Sequence, residues 1–241
     1  LTGKGPFNIV FVSPAFGDDS SVEKIDEIPL SLSPQEIRAK LRIEDMGEID
    51  QLLDAVLPLI HPRAVLEVCR VQERVGDIVI IEGIPFESRV LSQKLDGVER
   101  VFPYVLTIGE DLEKRTRASR NPRQRVLMDA MGNLALDGIR AYLKDLLGSR
   151  YDFGLLCYMS PGCLMDWPIE KQKDLFSLFG DEAPFMGVTL GDDFFMTPEK
   201  SMSGIFFPSE TPFHYCQLCP IKDCPSRKAD FERALVKAYG V

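Results

Sequence analysis

The stretch between Asn121 and Gly148 constrains the fold more than any other part of the chain. Asn121 is a capping residue and Pro122 suits a first helical turn, so the pair marks a helix start. Leu127, Met131, Leu134, Ile139, Tyr142 and Leu146 then form an apolar face, and Gly148 is the expected stop. Ala130, Gly132, Ala135, Gly138 and Ala141 are small enough to let a neighbouring element approach, and the plain reading is a core helix. Strand-like runs lie around it: 7–13, followed by an acidic loop through Asp18 and Asp19, then 64–75 and 77–82, split by Gly76 as in a hairpin. Further runs follow at 100–108, 151–159, 186–190 and 204–207. Shorter helices are expected from Ser33-Pro34, over 49–60 until Pro58 disturbs it, over 168–179 before Gly180, and over 225–238. Strands and helices mix throughout, which predicts one α/β (α+β) domain with a small C-terminal appendage. Nothing in the sequence reads as an internal repeat or linker.

With 241 residues, 45% hydrophobic and 27% charged, the chain can bury a substantial core. Its net charge of -9 would repel a phosphate backbone, so no nucleic-acid partner is expected. The basic groups around Lys114-Arg115 and Arg120 sit among acids and read as solvated helix faces. No apolar run reaches membrane-spanning length and no basic region precedes an apolar stretch at the start, so a soluble cytoplasmic protein is expected.

Six cysteines are present, and three of them, Cys216, Cys219 and Cys224, form C-x2-C-x4-C. A secreted disulfide framework would be spread more evenly, whereas clustering favours metal ligation. The two-residue spacer brings consecutive thiolates to one side of a turn. Cys224 precedes an expected helix start, and Lys222, Arg227 and Lys228 favour the thiolate form that binds metal. An iron–sulfur cluster is the first reading, zinc the second, and free or redox-active thiols the third. The fourth ligand is either His214 or Cys163, the latter if the tail folds back over the Pro-Gly-Cys loop.

Two stretches resemble the reactivation domain of cobalamin-dependent methionine synthase. One runs from Tyr158-Met159-Ser160-Pro161-Gly162-Cys163 through Asp166-Trp167-Pro168 to Gln172 and Leu175-Phe176. The other runs from Gly187-Val188-Thr189-Leu190 through Met196-Thr197-Pro198 to Ser201-Met202-Ser203-Gly204. Leu106-Thr107-Ile108-Gly109 and Asp129-Ala130-Met131-Gly132 are similar to small stand-alone members, and the likeness covers 28–208. The resemblance implies a C-shaped domain with a curved, largely antiparallel sheet flanked by helices, at 1–208; the cysteine-rich metal-binding tail expected at 209–241 lies outside it and rests on the cysteine spacing alone. It also implies binding of S-adenosylmethionine and its presentation to a corrinoid on another protein, with Tyr158, Ser160, Gly162, Ser201 and Ser203 at the binding positions. The family's donor loop reads Arg-x-x-x-Gly-Tyr, its arginine pairing with the donor's carboxylate. Here Tyr158 stands at the arginine place and Cys163 at the tyrosine place. Gly162 reads as a ligand contact or as plain turn geometry, and Asp166 as the cap of the helix that follows it.

The Asp-x-His-x-x-Gly signature of corrinoid carriers is absent: His61 lies between Ile60 and Pro62 and fits a structural role. Cobalamin is therefore expected on a partner. The leading function is an accessory or reactivation protein for a corrinoid methyltransferase, relaying an electron through an iron–sulfur centre to cob(II)alamin. The alternatives are a methyltransferase component that uses S-adenosylmethionine, and a non-catalytic interaction module stapled by structural zinc. No catalytic residue is assigned, and the sequence leaves open whether the chain is itself an enzyme.

Overall fold

Every residue from Val101 to Thr107 is buried, which requires a strand covered on both faces. This strand is β6 (Arg100–Thr107) in the computed structural model, which describes residues 22–26, 28–41, 46–180, 186–224 and 226–241. The strand and acidic loop expected at 7–19 lie outside the described residues. Val101 and Val105 enter one core, while Phe102, Tyr104 and Leu106 enter the other, as a period of two demands. Before β6 come β1 (Glu23–Asp26), α1 (Pro34–Leu41), α2 (Met46–Val56), β2 (Arg63–Leu66), β3 (Cys69–Val75), β4 (Ile78–Ile81), β5 (Ile84–Glu87) and α3 (Arg89–Lys94). After it come α4 (Asp111–Ala118), α5 (Pro122–Tyr151), β7 (Leu156–Met159), α6 (Gln172–Ser177), β8 (Thr189–Leu190), β9 (Met196–Thr197), β10 (Ser201–Pro208) and α7 (Arg233–Tyr239).

The main sheet runs β1-β2-β6-β3-β4-β5, with β10 on the other edge of β6 and β7 outside β10. Every pairing is antiparallel. Helices α1, α2 and α5 cover one face, and α3, α6 and the C-terminal segment cover the other. Phe213 and Leu218 of that segment are buried in the same cluster as Val105 and Trp167. No helix among the described residues is long and apolar enough to cross a membrane.

Several expected boundaries move, each for a physical reason. The run 64–75 is two strands, because β2 and β3 pair in turn with the same edge of β6. Pro103 faces the gap between them: its carbonyl accepts Glu67 N at 3.1 Å, but it has no N–H to continue the ladder. Helix α5 passes through Gly148 and ends where Asp152 turns left-handed at φ 51°. Tyr151 therefore belongs to the helix, and the strand expected at 151–159 shortens to β7. The buried stripe of α5 continues through Ile139, Leu143 and Leu147, so Tyr142 and Leu146 flank it. Gly132 earns its place in that helix, since an added Cβ would meet Leu112 and Lys200 side chains at 3.3 Å. The terminal helix starts at Arg233, well after the expected 225, because the preceding residues are bound up in the cysteine turn described below.

Glu67, at the gap beside Pro103, is 8% exposed, and its Oε2 has no hydrogen-bond partner among the described residues. Burial, with the charge of Glu82 adding to it, raises its pKa from 4.5 to about 7. A carboxyl whose folded pKa is raised favours the fold most below its unfolded pKa, and that contribution is lost as pH climbs from 4.5 through about 7. Glu67→Gln is therefore expected to stabilise the protein by about 1–2 kcal/mol at mildly alkaline pH and by close to nothing at acid pH. Urea unfolding at the two pH values checks this; an equal gain at both contradicts it.

Candidate functional site

The site forms where the sheet edge is left uncovered. β7 pairs with β10 only from Ile205 to Pro208, so the first half of β10 has no strand on its outer side. There the chain leaves β7 as the loop 160–168 and crosses over Gly204. A Cβ on Gly204 would stand 2.6 Å from both Met159 O and Ser160 Oγ, and 2.8 Å from the Tyr104 hydroxyl. Within the loop, Gly162 adopts φ +81° and donates to Trp167 O at 2.8 Å. A side chain there would also meet Ile169 Cδ1 at 2.9 Å, and turn geometry accounts for this glycine.

Asp166 pins the loop to the rest of the molecule, though not as expected. It does not cap the helix that follows it. Its carboxylate instead accepts Ser88 Oγ at 2.5 Å, Arg89 N at 3.1 Å and Val90 N at 3.0 Å, closing the N-terminus of α3. Ser88 Oγ in turn accepts Leu91 N at 3.0 Å. The first-turn donors of α3 lack intrahelical partners, and a carboxylate suits that end of a helix. Asp166→Ala is expected to cost about 2–4 kcal/mol, since it strands buried donors as well as removing charge-assisted bonds. Denaturant unfolding measures this; a loss below 1 kcal/mol, about the worth of one neutral bond, would contradict the cap.

A cleft of about 1050 Å³ opens beside the loop. Ser160, Cys163, Ser201 and Ser203 all reach its wall, so the structure brings together four of the residues named from sequence. Ser203 Oγ donates to Gln172 Oε1 at 2.9 Å, and Gln172 Nε2 donates to Phe194 O at 3.3 Å. Ser201 Oγ donates to Pro198 O at 2.7 Å and lies 3.0 Å from Thr107 Oγ1. These hydroxyls hold the wall in place. Gly162 faces a separate groove, lined by Met165 and Ile221 among others. Tyr158 sits behind the wall, under the guanidinium of Arg140 from α5, whose Cζ is 4.3 Å from the ring centroid.

The C-terminal segment folds against this loop. His214 opens its 3-10 turn: Nδ1 accepts Cys216 N at 3.1 Å, and His214 N donates to Gln217 Oε1 at 2.8 Å. With Nδ1 accepting, Nε2 carries the proton and donates to the Tyr158 hydroxyl at 2.9 Å. Burial, together with Arg140 and Lys228, holds His214 down to a pKa of about 4, so the ring is neutral at pH 7. Both nitrogens are engaged, and His214 is not placed to join Cys216 on one ion.

Cys163 is the better-placed partner. Its thiol is hydrogen-bonded to Tyr215, and it lines one groove with Cys219. Burial pushes it up to about 11, with Tyr215 and Arg140 pulling the other way. Arg227 organises the rest of the turn. Its guanidinium donates to the carbonyls of Cys216 at 3.0 Å, Ala229 at 2.9 Å, Cys219 at 2.9 Å and also Ile221. Its own N–H bonds Cys224 O at 3.1 Å, tying Cys224 into the same turn. All six cysteines are free thiols, and among the described residues no three His, Cys, Asp or Glu side chains are grouped so as to hold a metal ion. Cys69 and Cys157 are buried elsewhere in the core. Thiols are soft ligands by chemistry, and Arg227 holds the backbone of the turn that carries Cys216, Cys219 and Cys224.

No family model and no curated protein matches the chain. A solved structure does: the crystal structure of the MetH reactivation domain bound to AdoHcy, at 14% identity, covering 86% of this chain and 85% of that one with a TM-score of 0.60. The fold is that reactivation domain's fold. Its α+β architecture with a largely antiparallel sheet is the one the sequence resemblance implied.

Sequence reasoning missed Arg140, Tyr215 and the ring of carbonyls around Arg227. A signal existed for Arg140, since it is a charge set among the small and apolar residues Gly138, Ile139 and Ala141. Nothing local marks the other two.

Proposed function

We propose that this protein reactivates a corrinoid-dependent methyltransferase, binding an S-adenosylmethionine-type ligand in the cleft and passing an electron to cob(II)alamin on a partner. The observation that carries this reading is the double position of Cys163, which lines the cleft and also the neighbouring groove that Cys219 lines. A redox centre held there would adjoin the methyl donor. The solved neighbour is described as bound to AdoHcy, the demethylated form of that donor, which supports a ligand of this class.

Residues 1–208 would supply the cleft and the corrinoid-facing surface, and 209–241 the tail thiols. Cys163, Cys216, Cys219 and Cys224 would hold an iron–sulfur cluster, whose chemistry is one-electron transfer. The engagement of both His214 nitrogens disfavours a three-cysteine, one-histidine zinc site. A corrinoid on the partner would supply the cobalt chemistry, with one electron coming from this chain's reduced centre and the donor's methyl group going to cobalt as S-adenosylhomocysteine is released. The chain's own part would be to hold the donor in the cleft, with Tyr158 and Tyr215 packed edge to face.

The test is anaerobic. Chemically reduced protein is mixed with a cob(II)alamin-bearing methyltransferase and S-adenosylmethionine, and the corrinoid spectrum is followed. Methylcobalamin should form with wild type and fail to form with Cys163→Ser. Cob(II)alamin left unchanged by wild type would overturn the proposal.

A further inference from the structure

Arg140 is a charge inside the protein: its side chain is 12% exposed and stacks over Tyr158. A buried guanidinium is costly unless anions and acceptors surround it. Its Nη2 pairs with Asp137 Oδ1 at 2.6 Å, but Asp137 Oδ2 is also held by Lys228 Nζ at 2.6 Å. One carboxylate is thus shared between two cations. The other terminal nitrogen, Nη1, points at the thioether of Met202 at 3.5 Å, a weak acceptor. Tyr104 and Tyr158 around it are held neutral, because burial raises each phenol's pKa. Positive charge therefore collects at the inner wall of the cleft.

Acids line the same cleft. Glu113 and Glu199 share Arg117 at 2.5 and 2.6 Å, and Asp192 and Asp193 are exposed on the lining. A cleft lined by both signs of charge suits a zwitterion, with its carboxylate toward Arg140 and its cationic part toward the acids.

We infer that Arg140 anchors the carboxylate of the ligand in this cleft, taking the amino-acid tail of a molecule of the S-adenosylhomocysteine type. The guanidinium comes from α5, lies over the Tyr158 ring and lines the cleft. The inference rests on the cleft's role proposed above and adds the residue that selects for a carboxylate. Arg140 acts by direct charge-assisted hydrogen bonding, and Tyr158 positions it.

Isothermal titration decides it, with S-adenosylhomocysteine and its decarboxylated counterpart as the two ligands. Wild type should prefer the carboxylate form by on the order of tenfold or more. Arg140→Gln should bring that ratio close to one while leaving the decarboxylated ligand's affinity unchanged, and Arg140→Lys should restore part of it. A full preference in Arg140→Gln, or none in wild type, overturns the inference while leaving the cleft's role intact. Equal loss of both ligands in Arg140→Gln, with a wild-type melting curve, also overturns it. Failure of wild type to bind either ligand removes the cleft's proposed role and the anchor together. If Arg140→Gln does not fold, the wild-type ratio and the Lys variant give the answer.

Discussion

Replacing Gly204 by alanine should cost about 3 kcal/mol of stability and abolish ligand binding in the cleft. The methyl group has nowhere to go. It would sit 2.6 Å from a backbone carbonyl, Met159 O, and the same distance from Ser160 Oγ, with the Tyr104 hydroxyl at 2.8 Å. Ser160 can rotate, but the carbonyl belongs to the last residue of β7, which is paired with Ile205. Relief therefore requires β7 and the loop after it to move away from β10, carrying Ser160 and Cys163 out of the wall. Adding Ser160→Gly should recover only part of the loss, because the carbonyl contact remains. Urea unfolding and titration with S-adenosylhomocysteine provide the two readouts; an alanine variant with wild-type values in both would contradict this packing.

The second large effect is expected at Arg227. A planar guanidinium can satisfy several carbonyls arranged around it, which a lysine ammonium cannot reproduce with the same geometry. Arg227→Ala removes donors from the carbonyls of Cys216, Cys219, Ile221 and Ala229 at once. Each bond to a charged group is worth about 1.5–3 kcal/mol, and the sum is not additive. The expected result is local: the cysteine turn loosens and becomes a protease target, while the global transition falls less, because Phe213 and Leu218 remain in the core. Arg227→Lys should behave like alanine in limited proteolysis. Protection at the wild-type level in both variants would show that the turn does not depend on this side chain.

Much of the scaffold was legible because its signals are local. Asn121-Pro122 marked the start of α5, and Asn121 Oδ1 does accept Arg123 N at 3.0 Å and Gln124 N at 3.4 Å. The run at 100–108 marked the strand β6, though not its burial on both faces, and Gly76, at φ +61°, marked the β3–β4 turn. What escaped depends on partners distant in sequence. Pro103 breaks a strand in another part of the chain, and Asp166 closes a helix whose first residues lie 76 to 78 positions earlier. The edge strand β5 and helix α3 are short, and they take their form from the meander and from Asp166 rather than from any pattern of their own. The cleft shows the same division. Ser160, Cys163, Ser201 and Ser203 came from motif resemblance, whereas Arg140 reaches the cleft only because α5 crosses behind β7 and β10. The sequence offers His214 as a ligand, whereas its two hydrogen bonds, visible only in the fold, give it a capping role.

The central claim is that Cys163 and the tail thiols share one inorganic centre beside the cleft, and quantifying iron and acid-labile sulfide in protein prepared without oxygen tests it most directly. The account predicts iron and sulfide in comparable amounts, with a visible absorption band that bleaches on reduction, and the loss of all three in Cys163→Ser and Cys219→Ser. A folded wild-type protein that carries neither iron nor sulfide after anaerobic preparation would contradict it.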